Sequence, residues 1–390
     1  VMQACGQPTL NPPVNVLLQD LTVSRIDSVF DQKNEEYKSQ DLEVLINEIC
    51  KNLNGTLLIA KGDSVIFRRT TGLVRFYENK KGYEKWTQAE MNAAKKKASN
   101  KLKNDTFYEL ASISKQFTAA AILKLAEEKK LALTDTLNSI FPELPYKNIT
   151  IQHLLSHTSG LPEYFDFPVS YFDTSQILTN QHLIEVLSRE KPKIQFLPGY
   201  NYKYTNTNYA LLYSVIEKIS GESYEEYVQK NLFLPAGMTQ TFFVSQIEDN
   251  SNKSIAKGHL RNKEELKRYY LDGTMGDKGI YSTPEELLKW KTAYFTRKKI
   301  IPEKLLAKAS SKQNFIKGKG VAKEIYGYGL RIEENPHYGK LIYHGGLWRG
   351  YQNLMIYRPS DDLFIVFLSN YRNNAHKGKS NDILHIIDGV

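Results

Sequence analysis

ELASISKQFTAAAILKLAEEKK, residues 109–130, is the stretch that decides the fold. From Phe117 to Ala126 only Thr118 and Lys124 interrupt an apolar run, so a helix here is buried on all sides. Lys115 falls in its first turn. The helix dipole disfavours a cation at that end by about 0.3–1 kcal/mol, and burial further opposes the charged form. A lysine snorkelling to the surface fits that place poorly. Its position calls for a chemical reason.

Ser112 supplies one. The pattern predicts a helix from about Ser112 to Lys130, and residues three apart on a helix are neighbours at about 5–6 Å between Cβ atoms. A serine hydroxyl is a weak nucleophile and needs an adjacent base. Lysine serves only if its pKa of ~10.4 falls toward 7, at a cost of roughly 4 kcal/mol. Burial and the helix N-terminus both push that way, and the first free N–H groups of the helix can receive a developing oxyanion.

Around this helix the chain divides by pattern. Residues 1–40 are polar and contain prolines, a tail and lead-in. DLEVLINEICKNL (41–53) has helical spacing at Val44, Leu45, Ile49 and Leu53, and NGTLLIAKGDSVIFRRTTG (54–72) reads as two strands about a Lys-Gly-Asp turn. TFYELA (106–111) is strand-like, helical patterns dominate to about 245, and strands return in YGLRIEE, KLIYHGG, YQNLMIYRP and LFIVFLSN. Strand-bearing ends around a helical middle predict an α/β sheet domain from 41–111 and 250–390, with a helical domain over 112–249 inserted into it.

Composition is that of an ordinary globular protein, 41% hydrophobic and 24% charged, and no apolar run approaches the ~20 residues of a membrane span. A formal charge of +9 raises the question of a nucleic-acid partner, but residues 80–103 hold eight lysines against Glu84 and Glu90. Most of the excess lies in that lysine-rich inserted helix, 77–104, where Thr87 and Glu90 form a capping box. A solvated helix is expected there, and no nucleic-acid partner. Cys5, in VMQACGQ, is either incidental or resembles the end of a bacterial lipoprotein signal. The second reading implies a lipid anchor and an extracytoplasmic location, in the periplasm or cell envelope.

Two further segments carry chemistry. In FLPGYNYKYTNTNYALL, Tyr204-Thr205-Asn206 precedes an amphipathic helix. It is either a capping turn or a functional pair, a tyrosine whose phenolate a nearby ammonium would favour and an amide that both donates and accepts. YHGGLWRGY (343–351) places two glycines in a strand, where backbone or ligand must approach closely.

With these pieces the chain resembles the serine β-lactamase and penicillin-binding superfamily, nearest its class C, D-alanyl-D-alanine peptidase and esterase-like branch, over about residues 54–370. TFYELASISKQFTAAAILKLAE resembles the nucleophile helix, ITIQHLLSHTSGLP the next landmark, PGYNYKYTNTNYALL the Tyr-x-Asn element, MGDKGIYSTPEELLKW the glycine-rich turn and YHGGLWRGYQNLMIYRP the third motif. The resemblance implies an antiparallel sheet flanked by helices with an inserted all-helical domain, and a serine hydrolase that forms an acyl-enzyme without cofactor or metal. Carried over, Ser112 is the nucleophile, Lys115 its base partner and Tyr204 the base or proton shuttle. Asn206 orients substrate or lysine, and His344 stands where the third motif has a cation. Gly346 and Leu347 lie against the substrate, with the N–H groups of Ser112 and Leu347 as oxyanion hole. Gly345 replaces the hydroxyl that helps hold a β-lactam carboxylate, and a histidine is mostly neutral at pH 7. Both departures favour an ester, amide or peptide lacking a crucial carboxylate. The competing expectation is a catalytically silent module of this fold that recognises peptidoglycan or a partner.

HLLSH places His153 and His157 at the spacing of a helical zinc pair, but the zincin glutamate is missing. A Ser-His-Asp triad lacks its Gly-x-Ser-x-Gly elbow. Structural histidines are expected. In EYFDFPVSYF (163–172) the aromatics read as packing ahead of a substrate wall.

Overall fold

The computed structural model describes residues 46–47, 50–76, 87–98, 100–267, 269–314, 325–373 and 379–388. Cys5 and all the other features expected over residues 1–45 lie outside these residues, as do Ile49 and part of the lysine-rich insertion. The strands are β1 (Gly55–Lys61), β2 (Ser64–Thr71), β3 (Tyr108–Glu109), β4 (Phe242–Phe243), β5 (Ile280–Ser282), β6 (Ile325–Tyr326), β7 (Arg331–Asn335), β8 (Gly339–Trp348), β9 (Tyr351–Arg358) and β10 (Leu363–Ser369). Seven of them form one antiparallel sheet in the order β2-β1-β10-β9-β8-β7-β6, and β3-β5-β4 form a second, small sheet.

The large sheet joins the two ends of the chain, because β1 pairs with β10 from Gly55–Ser369 to Lys61–Leu363. Both strands are buried on both faces, which explains their continuous apolar runs. Leu57 and Ile59 of β1, with Leu363, Ile365 and Phe367 of β10, pack into an outer cluster with Ile383 and Leu384 of the C-terminal helix. Leu58, Ala60, Phe364, Val366 and Leu368, one residue out of phase, enter the main core on the other face. β2, by contrast, is an edge strand with exposed residues and two arginines, Arg68 and Arg69, which blunt that edge.

The helices used below are α1 (Gln88–Ala98), α2 (Lys115–Glu127), α3 (Ile151–Leu155), α4 (Asn180–Glu190) and α5 (Asn206–Ser220). α1 has its expected capping box: the Glu90 carboxylate accepts from Thr87 N–H at 2.7 Å, and Glu90 N–H donates to the Thr87 hydroxyl at 3.2 Å. α2 is buried from Lys115 through Leu123. Its polar residues are satisfied inside the core: the Thr118 hydroxyl donates to the Gly276 carbonyl at 2.6 Å, and Gln116 Oε1 accepts from Trp290 Nε1 at 2.7 Å. Among the described residues no helix is long and apolar enough to cross a membrane.

Three local expectations are corrected. The helix expected from Ser112 begins as a separate 3₁₀ turn, Ala111–Ser114, and α2 proper starts at Lys115. The cause is Ala111, whose φ of 50° is left-handed and breaks the path from β3 into a regular helix. The strand expected over 106–111 shrinks to Tyr108–Glu109, paired with β5 rather than within the large sheet. Phe242–Phe243 adds a short strand, paired with β5, in a stretch that reads as helical.

The glycine pair of β8 divides by role. A Cβ on Gly346 would be driven into the Leu110 carbonyl oxygen, whereas one on Gly345 would meet only Asn353 O at 3.7 Å. Gly346 is thus required where the backbone before the Ser112 turn presses on β8. Gly346→Ala is expected to destabilise by about 1–3 kcal/mol, and Gly345→Ala to stay within about 1 kcal/mol of the parent. Urea unfolding of both variants checks this, and equal losses would refute it.

Candidate active site

Two distant segments and the adjoining Ser112 turn converge on one amine. Lys115 Nζ donates to Ser112 Oγ at 3.1 Å, to Asn206 Oδ1 at 2.7 Å and to the Asp277 backbone carbonyl at 2.9 Å. The side chain is fully buried. That burial pulls its pKa down to about 8, opposed by the negative charges of Asp277 and Glu163 and aided by Arg331. An ammonium fills all three bonds. A neutral amine has only two N–H groups and one lone pair. Asn206 Oδ1 and the Asp277 carbonyl can only accept, so they take the two N–H groups and leave the lone pair facing the Ser112 hydroxyl. Loss of a proton turns the lysine into a base aimed at that oxygen.

Asn206 opens α5, whose N-cap is Thr205. The segment is therefore not simply a capping turn: the Asn206 side chain is turned inward. Its Nδ2 donates to Glu163 Oε2 at 3.0 Å, and its backbone N–H donates to the same oxygen at 2.8 Å. Glu163 is buried, which pushes its carboxyl up to about 7 against the pull of the Asn206 N–H.

The Ser112 hydroxyl is among the groups that act on the Tyr204 phenol, favouring its ionised form. The Tyr204 ring lies 5.0 Å from Lys115 Nζ and 5.1 Å from the Arg331 guanidinium. A neighbouring cation does favour the phenolate, as expected, but burial outweighs it. Burial raises the Tyr204 phenol well above its ordinary value, and Arg331 and the Ser112 hydroxyl only partly offset it. Tyr204 is a phenol at neutral pH, a donor rather than a resting base.

His344, which stands where the third motif has a cation, is a buried side chain with both ring nitrogens engaged. Its Nδ1 lies 2.6 Å from the Gly345 carbonyl and its Nε2 3.0 Å from the Tyr326 hydroxyl. The carbonyl can only accept, so Nδ1 carries the proton and Nε2 accepts from Tyr326. Burial, then Arg331 and Lys115, hold its pKa well below the usual range. The positive charge at this wall is supplied instead by Arg331, one residue opposite Tyr343 in the β7–β8 ladder.

Leu347 pairs with Gln352 of β9, while the β7–β8 ladder ends at Arg331–Tyr343. Among the described residues no strand therefore covers the β7-side edge of His344–Trp348. Trp348 stacks on Phe165 at 4.8 Å and donates from Nε1 to Asp272 at 3.0 Å. Phe165 thus belongs to this wall, while Phe167 and Phe172 of the same aromatic stretch are core.

The two histidines of HLLSH have separate structural tasks. His153 Nδ1 accepts from Thr150 N–H at 3.2 Å, closing the capping box of α3. His157 lies under Tyr204, ring centroids 4.3 Å apart, with Nδ1 near Asn208 Nδ2 and Thr205 N–H.

Four groups escaped the sequence reading: Glu163, Asp277, Lys278 and Arg331. Lys278 is buried and donates to the Tyr164 hydroxyl at 2.7 Å and the Thr274 carbonyl at 3.0 Å. It braces the turn whose Asp277 carbonyl receives Lys115. Adjacent charges in MGDKG were the one visible sign that something is buried there.

Both site histidines are held neutral by burial. Imidazole ¹⁵N NMR is expected to show no titration of His157 or His344 between about pH 5 and 8, the range in which an unperturbed ring would change charge. A midpoint near 6.5 for either ring would contradict this site.

Residues 56–387 match the family model described as Beta-lactamase. The chain is 30% identical over 353 residues to penicillin-binding protein 4* of Bacillus subtilis (strain 168), covering 86% of this chain and 72% of that protein. It is 26% identical over 277 residues to a D-aminopeptidase of Brucella anthropi, covering 70% of this chain and 51% of the relative. Its fold superposes with a TM-score of 0.70 on the octameric penicillin-binding protein homologue from Pyrococcus abyssi, at 26% identity, covering 89% of this chain and 76% of that one.

Proposed function

The chain belongs to the β-lactamase family, and from that premise we propose that it is a serine hydrolase working through an acyl-enzyme on Ser112. The observation that carries this reading is the buried Lys115 amine, held by Asn206 and Asp277 with its remaining valence toward Ser112 Oγ. In the proposed cycle Lys115 takes the Ser112 proton as Oγ bonds to the substrate carbonyl carbon. The carbonyl π pair moves to oxygen, where the N–H groups of Ser112 and Leu347 receive it. Tyr204, kept as a phenol, gives its proton to the leaving nitrogen or oxygen and is reprotonated from the Lys115 ammonium. Collapse breaks the bond to the leaving group and leaves the Ser112 ester. A water, deprotonated by Lys115, then adds to the ester carbonyl, and collapse breaks the Oγ–acyl bond, returns the proton from Lys115 to Ser112 Oγ and releases the acid.

The substrate class that fits is an ester, amide or peptide. The names of the relatives, a penicillin-binding protein and a D-aminopeptidase, favour an amide beside a D-configured residue. Arg331 bears on the expectation of a substrate without a carboxylate, since it restores a fixed charge to the wall that His344 leaves neutral. Action on cell-wall peptides outside the cytoplasm is the matching location.

A fluorophosphonate probe is expected to label Ser112, to fail on Ser112→Ala, and to slow by about 10²–10⁴ on Lys115→Ala. Labelling undiminished in Ser112→Ala, located by mass spectrometry elsewhere, refutes the reading. A panel of D-Ala peptides with and without a free carboxylate, D-aminoacyl amides, p-nitrophenyl esters and penicillin then ranks the substrate classes.

The base must be neutral to act. With Lys115 at about 8, kcat/KM is low at pH 6, rises through about pH 8 and levels off above it. The raised Tyr204 phenol adds no alkaline fall below about pH 10. A profile flat from pH 6 to 9 would remove Lys115 from the base role.

A further inference from the structure

Glu163 lies outside every group the resemblance carries over, yet it is the residue that fixes Asn206. An asparagine amide is symmetric in shape and can present either its oxygen or its nitrogen. Here one carboxylate oxygen, Glu163 Oε2, takes both the backbone N–H of Asn206, at 2.8 Å, and its side-chain Nδ2, at 3.0 Å. The same oxygen is 3.5 Å from the Thr205 hydroxyl, and Oε1 accepts from Phe165 N–H at 3.4 Å. An acceptor at that place forces Nδ2 toward Glu163 and therefore Oδ1 toward Lys115, where the bond is 2.7 Å. The reverse orientation would set an N–H against the ammonium and leave the carboxylate facing an amide oxygen.

We propose that Glu163 is a positioning residue of this site, one that orients the Asn206 amide so that its oxygen holds Lys115. The inference rests on the acyl-enzyme reading above for its bearing on rate, though not for its bearing on Lys115 itself. Lys115 is faced by Glu163 after α3, by Asp277 and the cationic Lys278 before β5, by Arg331 on β7, by the rings of Tyr204 and Tyr209 at α5, and by the neutral rings of His157 and His344. The two carboxylates favour its charged form and Arg331 opposes it. Glu163 in turn faces Asp277, Lys115 and the N–H groups of Asn206 and Phe165.

The two contributions separate by substitution. Glu163→Gln keeps the shape and an amide oxygen that can still accept from Asn206, but removes the charge. Lys115 should then lose its proton about one pH unit lower, and the rising limb of kcat/KM should move down with it, while the plateau rate changes less than about tenfold. Glu163→Ala removes the clamp as well, and the plateau should fall about a hundredfold as the amide turns freely. Circular dichroism of both variants confirms that folded protein is compared. Lys115 ionisation is read independently of turnover, by pH-dependent competitive dinitrophenylation followed by peptide mass spectrometry.

An unchanged Lys115 ionisation in Glu163→Gln, or a Glu163→Ala plateau equal to the parent's, overturns the inference even if Ser112 is labelled normally. Lowered activity with an unmoved pH limb in both variants means a purely structural role and overturns it too. A shifted Lys115 in a protein whose Ser112 takes no probe would leave the orienting contact intact and refute the hydrolase reading instead.

Discussion

A single buried amine sets the terms for this molecule. Lys115 cannot leave water without three acceptors, and the 3₁₀ turn just before its helix provides only Ser112. The other two come from the head of α5 and from the turn before β5. Each must be delivered with little freedom, because an unpaired buried charge costs several kcal/mol. The architecture around the site answers that demand. Glu163 fixes Asn206, Lys278 braces the Asp277 turn through Tyr164 and Thr274, and Gly346 lets the backbone before Ser112 close on β8.

The same burial decides which group can move a proton. Removing charge from water lowers an ammonium and raises a phenol, so Lys115 moves toward neutrality while Tyr204 moves away from ionisation. Two groups that a sequence reading places on equal footing as bases are thereby given opposite duties. His344, neutral and spent on Tyr326 and Gly345, is removed from the contest altogether.

Much of this was legible in the chain. The apolar runs of β1 and β10, the all-round apolar face of α2 and the Ser112–Lys115 spacing are local patterns, and local patterns survive folding. The Tyr204 and Asn206 pair was visible, though its inward turn was not. What stayed hidden depends on partners far away in sequence. Glu163 reads as the start of an aromatic loop, and Arg331 as a polar residue in a strand; only the fold sets them around Lys115 and Tyr204. The left-handed Ala111 was hidden for another reason, since nothing in an alanine announces a positive φ. The Tyr204 shift was misjudged because a nearby charge can be guessed from sequence, whereas the depth of burial that outweighs it cannot.

The pairing of β1 with β10 has a consequence for how the protein comes into being. Ser369 donates to the Asn54 carbonyl across 315 residues of chain, and the strand carrying Gly346 is synthesised long after Ser112. A ribosome therefore releases the nucleophile turn and the helical middle while the surface they must close against does not yet exist. Contacts of such long range slow folding, and until they form, the apolar faces of β1 and α2 stand exposed to other chains. Reactivity is delayed by the same order. A half-made chain has its serine and its lysine, but not the strand that turns them into a site.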